Sequence, residues 1–293
     1  MGSSSINTTM KSDFSKLAEV IHQASKGRQI YYLPNPGNLG DAIIRVGTQR
    51  FLHDFGIDCL PLTHIGKDQL TLQEGSRILS DLESRDAILL YGGGGGWCSI
   101  WKGGQEIVSQ LAPRFHHTIV LPSTYEVRPN IAKTTFFARD RYQSVGNAPF
   151  ASFCHDLGFY APTDVTYHKP TAGTGFCFRK DIESGFERKW RIPLSNHDIS
   201  WTGNYLSDPK PMFEYLASFK VIHTDRLHVA ISCCRLGVKA FLYPGAYFKN
   251  QAVFLTSIAP YFDNVRWRNH LPINIVLLNK LQRKLNSMGL LNS

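Results

Sequence analysis

Residues 222–229 read IHTDRLHV, which places His223, Arg226 and His228 within six positions. The apolar run FKVI precedes the cluster. Leu227, Ala230, Ile231 and Cys234 follow it at helical spacing. The pattern predicts a strand entering a helix, with the cluster at the join and Thr224 or Asp225 as the cap. A helix N-terminus carries partial positive charge, so basic side chains there are mildly unfavourable. Three such groups at one helix start point to a negatively charged ligand, and histidine exchanges protons near neutral pH. In the opposite reading His223 closes a strand and Arg226 pairs with an acid.

Other residues with chemistry fall, like these, just after apolar runs. In NPGNLGD (35–41), Gly37 and Gly40 permit a sharp turn, and Asp41 opens a helix as its N-cap. A carboxylate at that place is also a candidate general base for a sugar hydroxyl. The stretch is neither a Walker loop nor GxGxxG. In GGGGGW (92–97), Gly93, Gly94 and Gly95 bring backbone amides within reach of a phosphate or carboxylate, and the alternative is a flexible linker. Arg139 in FFARDRY and Arg179 in CFRKD offer bidentate donors for the same anions, or pair with Asp140 or Asp181. Lys249 in PGAYFKN adds a further phosphate contact.

The elements that must position these residues repeat one pattern of apolar strand, Gly- or Pro-marked loop and helix. QIYYL (29–33) leads to a helix over 42–55, AILLY (87–91) to QEIVSQLA, TIVLP (118–122) to STYEVRP, and TTFFA (134–138) to RDRYQSV. A second series follows: GFCFR (175–179), loop and strand in WRIPLSNHDISW (190–201), a helix over 211–218, FKVI (219–222), a helix over 225–236, VKAFLY (238–243) and a further helix. The last helix covers 274–288. Strands that are apolar throughout and alternate with helices predict parallel sheets covered on both faces. The expected fold is α/β, with two facing Rossmann-like domains over 1–162 and 163–293 and a linker in YAPTDVTYHKPTAGTG (160–175). Ligands of such sheets bind beyond the carboxyl ends of the strands. The polar start, MGSSSINTTM (1–10), is set aside as a disordered or appended tail, and the last helix is expected to pack back toward the first domain.

Of the 293 residues 43% are hydrophobic and 19% charged, which permits a substantial core. The net charge of +9 favours anionic partners such as nucleic acid, acidic lipid surfaces or phosphorylated metabolites. No helix-turn-helix, RRM-like or zinc motif supports nucleic acid. The six cysteines, Cys59, Cys98, Cys154, Cys177, Cys233 and Cys234, form no CxxC pair and read as free thiols of a reducing compartment. With no run of 18 apolar residues and no signal-peptide core, the expectation is a cytoplasmic protein. Beyond Asp263 the chain has no acid but carries Arg266, Arg268, Lys280, Arg283 and Lys284, the basic outer face of a packed helix or a surface for an anionic membrane.

The order NxGD, DAILLYGGGG, ARD, HTDRLH and YPGAYFKN resembles the polysaccharide pyruvyl transferase family from about residue 30 to about 255. Lys239 departs from the pattern where a proline is expected, and the glycine run before Trp97 is longer than usual. The resemblance implies a GT-B-like fold. It also implies transfer of the enolpyruvyl unit of phosphoenolpyruvate to a sugar of a surface glycan or its lipid-diphosphate-linked precursor, at or near the inner membrane face. In that reading His228 protonates the donor and Asp41 is the base. Arg139 is the third catalytic residue and holds the donor's charges with Arg179, Arg226, His223, Lys249 and the glycine amides; Asn38 also binds substrate, and Trp97 or Trp101 offers a platform for a sugar ring. No metal or other cofactor is called for. The alternatives are a GT-B glycosyltransferase using a nucleotide sugar, a nucleic-acid binder, and an inactive relative that binds sugar phosphate.

Overall fold

The computed structural model describes residues 8–65, 68–74, 77–79, 84–165, 170–185 and 192–288. The chain divides into two compact units. The first is Ser5–Pro162 together with Gly203–Pro209, and the second is Thr163–Thr202 together with Lys210–Ser293.

The first unit begins with α1 (Thr8–Ser25), β1 (Ile30–Leu33), α2 (Leu39–Asp54) and β2 (Leu60–Pro61). Three short strands, β3 (Thr63–Ile65), β4 (Asp68–Glu74) and β5 (Arg77–Leu79), form a separate antiparallel sheet. β6 (Ser84–Tyr91), β7 (Gly94–Trp97), α3 (Gly103–Leu111), β8 (Phe115–Tyr125), β9 (Thr134–Ala138), α4 (Gln143–Asn147) and β10 (Ser152–Phe153) complete it. The main sheet runs β10-β9-β8-β6-β1-β2 with β7 beside β8, and every pair is parallel. Its register sets Tyr31 opposite Leu89 and Tyr32 opposite Leu90. Ile88, Leu89, Leu90 and Tyr91 are all fully buried, which requires cover on both faces of the strand.

The second unit holds β11 (Ala172–Cys177), α5 (Lys210–Ala217), β12 (Phe219–Thr224), α6 (Leu227–Leu236), β13 (Lys239–Leu242), α7 (Lys249–Val253), β14 (Val265–Trp267) and α8 (Ile273–Ser287). Its sheet runs β11-β12-β13-β14, again all parallel. Gly237, at φ 69°, ends α6 in the left-handed conformation, and the amide of Val238 closes onto the carbonyl of Cys233 at 3.1 Å. The α/β class with parallel sheets and helices on both faces is the expected one.

Several local expectations change. The start of the chain is no tail from Thr8 onward. Met10, Phe14, Leu17 and Ile21 recur at helical spacing and are buried, so α1 is part of the core. In WRIPLSNHDISW, residues 190 and 191 lie outside the described residues, and no strand follows them. Asn196 turns back to donate to the carbonyl of Pro193 at 3.0 Å, and Ile199–Trp201 forms one 3₁₀ turn. Residues 166–169 of the expected linker also lie outside the described residues. The segment Gly203–Pro209, late in sequence, belongs to the first unit: Tyr205 donates to the carbonyl of Gly37 at 3.0 Å. All six cysteines are free thiols, and all but Cys59 are buried.

Candidate active site

In the second unit the loops after β11, β12 and β13 converge. β12 ends at Thr224, whose hydroxyl donates to the carbonyl of Cys177 at 2.7 Å and accepts from the amide of Arg226 at 2.9 Å. Arg226 itself occupies the N-cap position of α6, and His228, half-buried, lies in the helix's first turn. Asn250 ties in the third loop, donating to the carbonyls of Asp225 at 2.6 Å and Tyr243 at 3.0 Å.

Three of the cations named from sequence, Arg179, Arg226 and Lys249, are here, and each has carboxylate partners. Arg226 grips Asp198 with two bonds, Nε to Oδ1 at 2.8 Å and Nη2 to Oδ2 at 2.7 Å, and reaches Asp181 at 3.0 Å. Arg179 binds Asp181 through Nε at 2.8 Å and also pairs with Glu183. Lys249 donates to Glu183 at 2.8 Å. Burial opposes ionisation of Asp181, but the bonds and charge of Arg179 outweigh it and hold the carboxyl below its ordinary range. Glu183 is held low in the same way, by Lys249 and then Arg179. Arg179, Arg226 and Lys249 therefore do not form a bare positive cradle. They are largely buried and neutralised, and they brace the turn that carries His228.

His223 is a clear correction. It lies on β12, an inner strand of its sheet, with its ring among Phe176, Phe241 and Tyr243, and its Nδ1 meets the Tyr243 hydroxyl at 2.7 Å. Burial, then the charge of Arg268, pushes its pKa down to about 4, which leaves the ring neutral, so it packs in the core and brings no positive charge to an anion. Asp225 behaves oppositely. It is fully buried, its Oδ1 accepts the amide of Arg179 at 2.7 Å, and burial pushes its carboxyl up to about 7.

In the first unit the loops after β1 and β6 come together. Asn38, not Asp41, caps α2, its side chain accepting from Gly40 at 2.8 Å. Asp41 is the third residue of the helix and completes a capping box, Oδ2 accepting from the amide of Asn38 at 3.1 Å. Its Oδ1 accepts from Asn35 at 2.8 Å, and Asn35 accepts from the Tyr91 hydroxyl at 2.7 Å. The glycines allow this closeness. A Cβ on Gly93 would sit 2.3 Å from the carbonyl oxygen of Pro122, and one on Gly92 2.5 Å from the amide nitrogen of Asn35. Gly94 and Gly95 belong to β7, paired beside β8, so the run is part of the sheet and no linker.

Two further assignments change. Arg139 is 1% exposed, with Nη1 on Asp156 at 2.6 Å and Nε on the Thr124 hydroxyl at 2.8 Å. It is a structural ion pair, and its acid is Asp156 rather than Asp140. Trp97 is buried edge-on to Tyr125 and Phe136, so it packs the core and offers no platform. Trp101 keeps 42% of its surface. A cavity of about 460 Å³, lined by Arg128, Asn130, Ile131, Thr134, Phe136 and Phe150, touches none of the candidate site residues.

The model of the family described as polysaccharide pyruvyl transferase matches residues 38–244. The chain belongs to that family. The match begins at the cap of α2 and includes the whole HTDRLH turn, while Lys249 falls just outside it. No curated protein matches this pyruvyl transferase family member. A crystal structure of a functionally uncharacterised protein from Klebsiella pneumoniae subsp. pneumoniae shares its fold, with a TM-score of 0.72 and 24% identity over 90% of this chain and 100% of that one. No helix among the described residues is long and apolar enough to cross a membrane.

Proposed function

We propose that this family member transfers the enolpyruvyl group of phosphoenolpyruvate to a sugar of a surface polysaccharide, capsule or cell-wall glycan, or to its lipid-diphosphate-linked precursor. The product is a pyruvate ketal, with phosphate released in the cytoplasm at the inner membrane face. The observation that carries the reading is His228, held in the first turn of α6 at the carboxyl end of a buried parallel strand. Amides at such a helix start favour an anion, and an imidazole beside them suits proton transfer to it. The buried ion pairs below the turn fix that geometry before reaction, where preorganised charge contributes most.

In this mechanism His228 gives a proton to the methylene carbon of the donor, leaving an oxocarbenium-like centre at C2. One acceptor hydroxyl adds there, the C–O bond to phosphate breaks, and a second hydroxyl closes the ketal. Of the two hydroxyl protons, one replaces the proton given to the methyl group and one leaves with phosphate. Asp41 is the proposed base for the acceptor hydroxyl. Arg226, Arg179 and Lys249 act through the turn they brace.

The test is phosphate release from phosphoenolpyruvate over a panel of lipid-like glycosides, with the product's mass read directly. Acceptor-dependent release and a mass gain of one pyruvate ketal support the reading. His228→Gln lowers kcat by about 10²–10⁴ while the melting temperature stays unchanged, since the group lost is a general acid. Near-normal turnover in that variant removes His228 from the mechanism. Stabilisation by a nucleotide sugar and none by phosphoenolpyruvate would replace pyruvyl transfer with glycosyl transfer.

A further inference from the structure

α8 is turned the wrong way round for a helix that only packs. Its one buried residue is a polar one, Asn279, which donates to the carbonyl of Ile192 at 3.0 Å. Arg283 donates to the same carbonyl at 2.9 Å, and Val276 packs against the cluster of Phe178, Ile192, Tyr243 and Leu271. The large apolar side chains lie elsewhere. Ile273 is 77% exposed, Leu277 57%, Leu278 58%, Leu281 53% and Met288, at the C-cap, 59%.

At about 100° per residue these five fall within an arc of roughly 140°, centred nearly opposite Asn279 and Arg283. Five of the thirteen large apolar side chains exposed among the described residues thus share one helix and its cap, and the other eight are scattered. The charge along the same edge has one sign. Lys280 and Lys284 are exposed at the margin of the apolar arc, and the sequence has no acid after Asp263.

We infer that α8 is an interfacial anchor that lays its leucine face into an anionic phospholipid surface. The helix, about 22 Å long, is too short to span a bilayer and suited to lie along one. Exposed leucines enter the acyl boundary while the lysines reach anionic headgroups. A second copy of the chain fits less well, because α8 has no carboxylate to meet its partner's lysines. The inference extends the membrane part of the proposed function but stands on the geometry of α8 alone.

The test is co-sedimentation of the full chain with phosphatidylglycerol-rich vesicles and with phosphatidylcholine vesicles, in low and high salt. Binding to the anionic vesicles, weakened by salt, is expected. Leu277→Ser with Leu281→Ser reduces it by roughly tenfold or more. Lys280→Gln with Lys284→Gln reduces it by roughly thirtyfold on anionic vesicles and flattens the salt dependence. All four side chains are exposed, and unchanged thermal melts confirm that both variants fold. Absence of sedimentation, or equal sedimentation of the chain and both variants, overturns the inference. So does a dimer by light scattering that the leucine variant dissolves, which makes the face a self-association surface. No donor or acceptor is present, so failure here leaves pyruvyl transfer untouched.

Discussion

Asp225 is buried at the centre of the HTDRLH turn, and its folded-state pKa of about 7 couples the turn to pH. An aspartate in an unfolded chain ionises near 3.9. Between those values the folded state holds a proton that the unfolded state has released. This contribution to stability is therefore full below about 4 and is lost as pH rises through about 7. His223 has the opposite sign: with its pKa at about 4, its contribution is present above the unfolded value of about 6.5 and is lost as pH falls. The clean window for Asp225 is thus roughly pH 6.5 to 8. Thermal stability should fall across it, and Asp225→Asn, which keeps an acceptor for the amide of Arg179, should flatten the slope. An equal slope in the variant would assign the titration to another group. The HTDRLH turn was readable from sequence because a strand period and a helix period flank it. Its partners were not. Asp198 reaches Arg226 across 28 positions and Glu183 reaches Lys249 across 66, and only the convergence of three loops brings them together. The same gap explains Arg139, which in sequence resembles any arginine at a strand end and in the fold is sealed against Asp156.

Elements with a strong period stand where their sequence puts them. TTFFA is β9 to the residue, and the last helix begins one residue earlier than its apolar spacing suggests. α1 was missed because a polar start hid a helix whose core stripe begins at Met10. β3 and β5 were missed because strands of three residues carry too little alternation to separate from a loop, and β4 was missed although QLTLQ alternates at the strand period. β7 was missed for a different reason, since three of its four residues are glycine. These glycines are required by close backbone approach, and a paired substitution tests that. In Gly93→Ala the new methyl group meets the Pro122 carbonyl, a backbone atom that cannot swing aside, and the overpacking should cost about 1–3 kcal/mol. Gly103 opens α3 with nothing within 4 Å of a Cβ, so Gly103→Ala should be neutral or stabilise by up to about 1 kcal/mol. Denaturant midpoints of the two variants compare them directly. A Gly93→Ala protein as stable as the parent would mean the loop has room, and would return the glycine run to a ligand-binding role.

At the scale of the whole chain, sequence order and spatial order part company at Gly203–Pro209. This segment leaves the second series and completes the first unit. Asn204 bridges to Asn38, and Arg45 donates through Nε to the carbonyl of Tyr205 at 2.8 Å and through Nη2 to that of Ser207 at 3.0 Å. Nothing in seven residues without a period announces such a return, and a linear division of the chain cannot contain it. The consequence is physical as well as topological, because the segment holds the start of α2, where Asn38 and Asp41 form their capping box. A fragment of residues 5–162 should therefore be less stable than the same fragment joined by a flexible linker to residues 203–209. Hydrogen bonds from a charged donor are worth about 1.5–3 kcal/mol each when buried, and less for Arg45, which is half-exposed. A net difference of about 2 kcal/mol corresponds to a shift of roughly 4–8 °C in Tm for a unit of this size. Melting curves of the two fragments measure it. Arg45→Met in the linked fragment should remove most of the gain, because it deletes the side chain that gathers those carbonyls. Equal Tm values for the two fragments would show the returning segment to be a passenger, and α2 to be held by its own cap alone.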